Sequence, residues 1–194
     1  MCPPNYWADN STQTCTQRCP DLDPNGTLVD TYSANLTHYC VLTCPHPTFG
    51  RKDTNKCVYQ CPSTPNLFGH PEGRICVDVT NCFAVDGIPY YADDTTRRCV
   101  QKCPLNRWAD TNLSKCVETC PRHYFRNNNN QECVSNCPED PDEYASPTSR
   151  NCTRKCPTNY YAVVNSTGFR LCVQDCHPYG LIKNNITNKC VPLN

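Results

Sequence analysis

Core-forming side chains are scarce in this chain. Leu, Ile, Val and Phe together make up about 16% of its 194 residues, below the roughly 20% at which a hydrophobic core becomes doubtful. So little apolar surface does not offset the backbone entropy lost on folding, which excludes an ordinary globular domain. No apolar run approaches the roughly 20 residues of a spanning helix, which excludes a membrane span in this segment. An excess of one charge is missing too. The 18 Lys and Arg balance 18 Asp and Glu, interspersed, for a formal net charge of zero. Nothing here resembles the basic stripe that binds phosphate backbones, so no nucleic-acid partner is expected. Met1 is followed at once by Cys2-Pro3-Pro4, so no signal peptide is expected within the sequence, although the cysteine content demands secretion. The expectation is a mature or excised segment of a longer precursor, with Cys2 opening one unit and Cys190 closing another.

Cysteine is abundant instead. Twenty of them, slightly above 10%, form an even-numbered disulfide framework and require an oxidising compartment. They mark out ten loops: Cys2 to Cys15, Cys19 to Cys40, Cys44 to Cys57, Cys61 to Cys76, Cys82 to Cys99, Cys103 to Cys116, Cys120 to Cys133, Cys137 to Cys152, Cys156 to Cys172, and Cys176 to Cys190. Eight of the nine linkers hold three residues, and so short a period means an array of units. The longer linker, Cys76 to Cys82, is followed by Phe83 where proline is usual. It suggests a boundary between units 1–81 and 82–194. Loop 19–40 is the longest, carries two sequons and is expected to project.

Three pairings are open: closure of every Cys-x-x-x-Cys, an interleaved scheme, and each loop closed by its own disulfide. The first leaves Cys2 and Cys190 single; the second needs linkers of two alternating kinds, and the linkers do not alternate. Loop-by-loop closure is preferred, and it suits variable loop lengths because closure entropy changes slowly with length. Each loop of about 15 residues then removes roughly 3 kcal/mol of denatured-state entropy, and staples substitute for the missing core.

A β-branched residue follows the loop-closing cysteine: Val41, Val58, Val77, Val100, Val117, Val134, Val173 and Val191, with Thr16 and Thr153 as substitutes. Each loop also contains an aromatic: Trp7, Tyr32, Phe49, Phe68, Tyr91, Trp108, Phe125, Tyr144, Tyr161 and Tyr179. These features predict a small disulfide-rich repeat array, an elongated rod of about ten short irregular β-hairpin loops with almost no helix. The aromatic is expected to cover its own or a neighbouring disulfide. Proline after the loop-opening cysteine is expected to discourage lateral sheet growth there.

The pattern Cys-Val-x-x-Cys-Pro-x-x-x-aromatic, ending again in Cys-Val, resembles the furin-like cysteine-rich modules of growth-factor receptors. It is even more similar to the long Cys-Pro repeat arrays of protist surface proteins. The resemblance runs from Cys2 to Cys190 and implies single-disulfide loops. The receptors' two-disulfide modules and leucine-rich ligand-binding domains have no counterpart here.

Seven Asn-x-Ser/Thr sequons, at Asn10, Asn25, Asn35, Asn112, Asn151, Asn165 and Asn185, imply N-linked glycans and a eukaryotic secretory route. Asn151 is the weakest, because Cys152 is its middle residue. No other cofactor is expected. The linker spacing formally suits zinc, but His38, His46, His70, His123 and His177 follow no unit and secreted cysteines oxidise. A cysteine nucleophile needs a spare thiolate, and an even count in regular register leaves none. Asp93-Asp94 and Glu139-Asp140 read as solvated carboxylates, Arg97-Arg98 as ordinary surface, and Trp7 and Trp108 as packing aromatics. The expected function is that of a non-enzymatic extracellular structural glycoprotein, a stapled rod in a cell-surface coat, stalk or filament that self-associates end to end. The alternative is a cysteine-rich ectodomain of a receptor or adhesion protein that binds a ligand.

Overall fold

A computed structural model describes residues 2–21, 27, 30–82 and 87–193. Ten two-stranded hairpins follow one another: Trp7–Asp9 (β1) with Thr14–Thr16 (β2), Tyr32–Ala34 (β3) with Tyr39–Val41 (β4), Phe49–Arg51 (β5) with Lys56–Val58 (β6), Phe68–His70 (β7) with Ile75–Val77 (β8), and Tyr91–Asp93 (β9) with Arg98–Val100 (β10). The remainder are Trp108–Asp110 (β11) with Lys115–Val117 (β12), Phe125–Asn127 (β13) with Glu132–Val134 (β14), Tyr144–Ala145 (β15) with Cys152–Thr153 (β16), Tyr161–Val164 (β17) with Arg170–Val173 (β18), and Ile182–Asn184 (β19) with Lys189–Val191 (β20). The only helical turns among the described residues are the 3-10 turns Val79–Asn81 and His177–Tyr179. The architecture is a small disulfide-rich β-repeat array.

Register explains the sequence signature. In hairpin after hairpin the aromatic faces the β-branched residue: Trp7 pairs with Thr16, Tyr32 with Val41, Phe49 with Val58, Phe68 with Val77 and Tyr161 with Val173. Aromatic and β-branched pairs opposite each other stabilise a sheet by roughly 0.2–1 kcal/mol. The next residue of the first strand is small and faces the loop-closing cysteine, as in Ala8 with Cys15, Gly50 with Cys57, Ala92 with Cys99 and Ala162 with Cys172. Every loop is closed by its own disulfide, from Cys2–Cys15 to Cys176–Cys190, with Cα separations of 5.5–5.6 Å.

The chain divides into two compact units, Met1–Lys102 with Asn112–Lys115, and Cys103–Thr111 with Cys116–Asn194. The expected boundary at 81/82 adjoins residues 83–86, and Phe83 lies outside the described residues. Within the first unit the strand order is β9-β10-β7-β8-β5-β6-β3-β4-β1-β2. The second unit contains the orders β13-β14-β11-β12 and β16-β15-β18-β17-β20-β19.

Hairpins join laterally through one repeated parallel contact. The middle residue of the first strand, small everywhere in these pairs except at Arg126, pairs with the residue preceding the next closing cysteine. In the first unit these are Ala8 with Tyr39, Ser33 with Lys56, Gly50 with Ile75 and Gly69 with Arg98. In the second they are Ala109 with Glu132, Arg126 with Asn151, Ala145 with Leu171 and Ala162 with Lys189. Lateral growth therefore does occur. Proline sits in the arm between the opening cysteine and the first strand, for example Pro45 ahead of Phe49, so it removes no donor from the paired edge.

Candidate functional site

The recurring junction between hairpins is the most elaborated feature of the molecule. Its first component is the residue two before the closing cysteine. Gln13, His38, Asn55, Arg74, Arg97, Ser114, Gln131, Arg150 and Asn188 all occupy the left-handed region, with φ between 48° and 60°. Non-glycine residues adopt it at a cost of roughly 1–2 kcal/mol. The conformation turns the backbone carbonyl toward the preceding hairpin, where the amide of the small middle residue donates to it. Ala8 N–H donates to the His38 carbonyl at 2.9 Å, Gly50 to Arg74 at 2.7 Å and Gly69 to Arg97 at 2.8 Å. In the second unit Ala109 donates to Gln131 at 2.8 Å and Ala162 to Asn188 at 2.9 Å.

The second component is a ring laid on the following hairpin. Phe68, fully buried, packs with Ala92 and with Cys82 and Cys99 of the next disulfide. Phe49 packs with Cys61 and Cys76, and Tyr144 with Cys156, Cys172 and Ala162. Phe125 lies against Cys137, Cys152 and Ala145. The aromatic therefore covers the following unit's disulfide. Small middle residues are required because a ring lies over them. A Cβ on Gly50 would come within 2.7 Å of the Tyr32 ring, and one on Gly69 within 2.8 Å of Phe49.

Arginine supplies the third component. Arg97 lies with its Cζ 4.4 Å from the Phe68 centroid and donates to the carbonyls of Pro62 and Leu67 and to Asn66 Oδ1. Arg150 donates to the carbonyls of Cys120, Pro121 and Tyr124. Arg170 stacks 4.6 Å from Tyr144, donates to the Glu143 carbonyl and pairs with Asp142. Each guanidinium ties the Cys-Pro arm of one hairpin to the next hairpin, Arg97 and Arg150 from its turn and Arg170 from the start of β18, using its several donors at once. Arg97 is thus a clamp, correcting the reading of Arg97-Arg98 as ordinary surface; Arg98 is exposed. Where Arg126 replaces the small residue, its guanidinium stacks 4.8 Å from the Trp108 centroid.

Tips are closed by side chains at the end of the first strand. Asp93, fully buried, accepts from the amides of Thr95 and Thr96 and from the Thr96 hydroxyl. It caps a turn, which corrects its reading as a solvated carboxylate. Asp94 pairs with Lys115 at 2.8 Å, while Glu139 and Asp140 are exposed. Burial alone would raise the Asp9 pKa, but hydrogen bonds from Ser11 and Thr12 hold it below the ordinary carboxylate value. A depressed pKa means this stabilisation is present above the unfolded value and is lost as pH falls through the folded one.

Five of the described sequon asparagines occupy hairpin tips. Asn10, Asn35, Asn112 and Asn185 are exposed there. Asn165 is half-buried, its Oδ1 accepting from the Thr167 amide and hydroxyl and the Phe169 amide. Asn151 instead immediately precedes β16 and bridges to Arg126, with a buried Oδ1. Asn25 lies outside the described residues. Trp7 is buried and Trp108 half-buried beneath Arg126. Tyr179 departs from the expected pattern: it lies in a 3-10 turn, and Ile182 holds the strand position facing Val191.

Every cysteine is disulfide-bonded. Among the described residues no group of three or more His, Cys, Asp and Glu is placed to hold a metal ion, and no helix is long and apolar enough to cross a membrane. Two signals in the sequence mark the junction that loop counting missed. Nine of ten closing cysteines stand eight residues after the first-strand ring or its replacement Ile182, and arginine recurs two before the cysteine at 74, 97, 150 and 170. No protein-family model, curated protein or solved structure matches this chain.

Proposed function

We propose that this chain is a non-enzymatic structural glycoprotein segment of the extracellular surface, a disulfide-stapled array that extends a coat, stalk or filament. Ten disulfides are typical of an oxidising, secretory environment. The observation that carries the reading is the recurring junction: hairpins along the array offer a ring to the next disulfide and an amide to the next turn. Such nearest-neighbour construction lengthens an array without redesign. Glycans at Asn10, Asn35, Asn112, Asn165 and Asn185 decorate the tips and keep the array soluble and protease-resistant. Non-closing head-to-tail contacts between copies build the fibre.

The test is secretion from a eukaryotic cell, glycosidase treatment and electron microscopy of the non-reduced protein at several concentrations. A mobility shift on deglycosylation with regular fibres is the expected result. Single particles at every concentration favour a ligand-binding ectodomain, and an unmodified chain removes the glycoprotein reading.

A further inference from the structure

One pocket of the first unit is chemically unlike the junctions around it. It has a volume of about 100 Å³ and is lined by His46, Phe49, Gly69, Arg74, Arg98 and Cys99, with Pro47 and Pro71 at its sides. Arg74 and Arg98 flank the same ring, with Cζ 5.8 Å and 5.2 Å from the Phe49 centroid. No carboxylate lines the pocket, and among the described residues none lies within salt-bridge distance of either arginine.

Several arginines of the array have a carboxylate partner or more than one carbonyl. Arg51 pairs with Asp53, Arg107 with Glu118 and Arg170 with Asp142, while Arg97 and Arg150 are engaged by carbonyls. Arg74 uses one Nη2 on the Thr48 carbonyl at 2.9 Å and has no carboxylate partner among the described residues; its Nε, like those of Arg97 and Arg126, is buried without a hydrogen-bond partner. Arg98 is exposed, and its guanidinium contact is the Phe49 ring. His46 adds a third group able to carry positive charge. Like charges gathered around one small space repel, and an anion between them relieves that repulsion while accepting their unused donors.

We propose that this pocket binds a sulfate-type oxyanion, and that its occupant is a sulfate group of an acidic glycan. The volume is far below the 300–1,000 Å³ of sites for whole drug-sized ligands, so it takes one substituent of a larger chain. The guanidinium fork matches oxyanion geometry where an ammonium would offer a point charge. The proposal rests on the fold and is independent of the filament reading.

The experiment is calorimetric titration of the secreted, disulfide-intact chain with a sulfated heparin-type oligosaccharide and with a desulfated oligosaccharide of equal length. Variants are Arg98→Ala, Arg98→Lys, and the exposed control Arg122→Ala. The sulfated probe is expected to bind in preference to the desulfated one. Its affinity should fall on the order of tenfold in Arg98→Ala, the loss expected for a hydrogen bond to a charged group. Arg98→Lys should fall between the two, and Arg122→Ala should match wild type. Equal loss in Arg98→Ala and Arg122→Ala, equal binding of both probes, or no binding overturns the proposal. Arg98→Lys keeps the charge and the aliphatic stem, so a folding defect in the alanine variant leaves the test intact.

Discussion

Replacing Phe68 with alanine tests the direction in which each hairpin supports the next. The ring is fully buried against Cys82, Cys99 and Ala92, with the Arg97 guanidinium above it. Truncating a buried Phe costs about 3–5 kcal/mol, combining lost transfer energy and the cavity left behind. The cation–π contact adds roughly 0.5–1 kcal/mol. A loss of about 4 kcal/mol raises local opening by nearly a thousandfold. In a nearest-neighbour array that loss stays at the affected junction. Native-state hydrogen exchange reads it at the Gly69 amide, which donates to the Arg97 carbonyl at 2.8 Å. Partial reduction followed by peptide mapping provides the directional readout. Because the ring covers the following disulfide, Cys82–Cys99 is expected to become the more reducible bond while Cys61–Cys76 is unchanged. Selective loss of Cys61–Cys76 would falsify the junction as described.

Three further perturbations probe the same construction. Gly50→Ala places a methyl within 2.7 Å of the Tyr32 ring; destabilisation of about 1–3 kcal/mol is expected. Gly73→Ala meets the Ile75 side chain at 3.3 Å and should cost less in denaturant titration; equal losses refute the stacking argument. Arg97→Gln removes a guanidinium shared among three acceptors and should destabilise by roughly 2–4 kcal/mol. Thermolysin cleavage between residues 62 and 67 should accelerate, and an unchanged rate counts against the clamp. Burial, with the charges of Asp30 and Asp21, raises the Tyr32 pKa to about 12. A raised phenol favours the fold below its ordinary value near 10, and that contribution is lost as pH rises toward 12. Ultraviolet titration should find a tyrosine ionising only as pH approaches about 12; Tyr32→Phe should remove that late step, and an unchanged titration curve would refute the assignment.

Much of the architecture was legible from residue order. Cys-Pro and Cys-Val at a short period implied an array, too few apolar residues implied staples, and Val or Thr after the closing cysteine implied strands. The junction was harder to read because its signals look like noise inside polar loops. Arg74, Arg97, Arg150 and Arg170 resemble scattered surface charge until the turn brings each guanidinium onto the preceding arm. Asp93 reads as one of two solvated acids, and only the folded tip shows it accepting from Thr95 and Thr96 while Asp94 faces Lys115. Tyr179 satisfied the rule of one aromatic per loop, yet strand register gave its position to Ile182.

Sequence by itself determined that this chain is a stapled β-repeat array, because cysteine at a regular spacing closes loops that substitute for a core that about 16% Leu, Ile, Val and Phe does not supply. Tertiary structure decided which disulfide each ring protects. A ring beside its own cysteine in sequence is free to turn either way. At most junctions a left-handed residue two before the next cysteine points its carbonyl back across the gap and the following disulfide lies beneath the ring; at Tyr144 the parallel pairing of Ala145 with Leu171 accompanies the same arrangement.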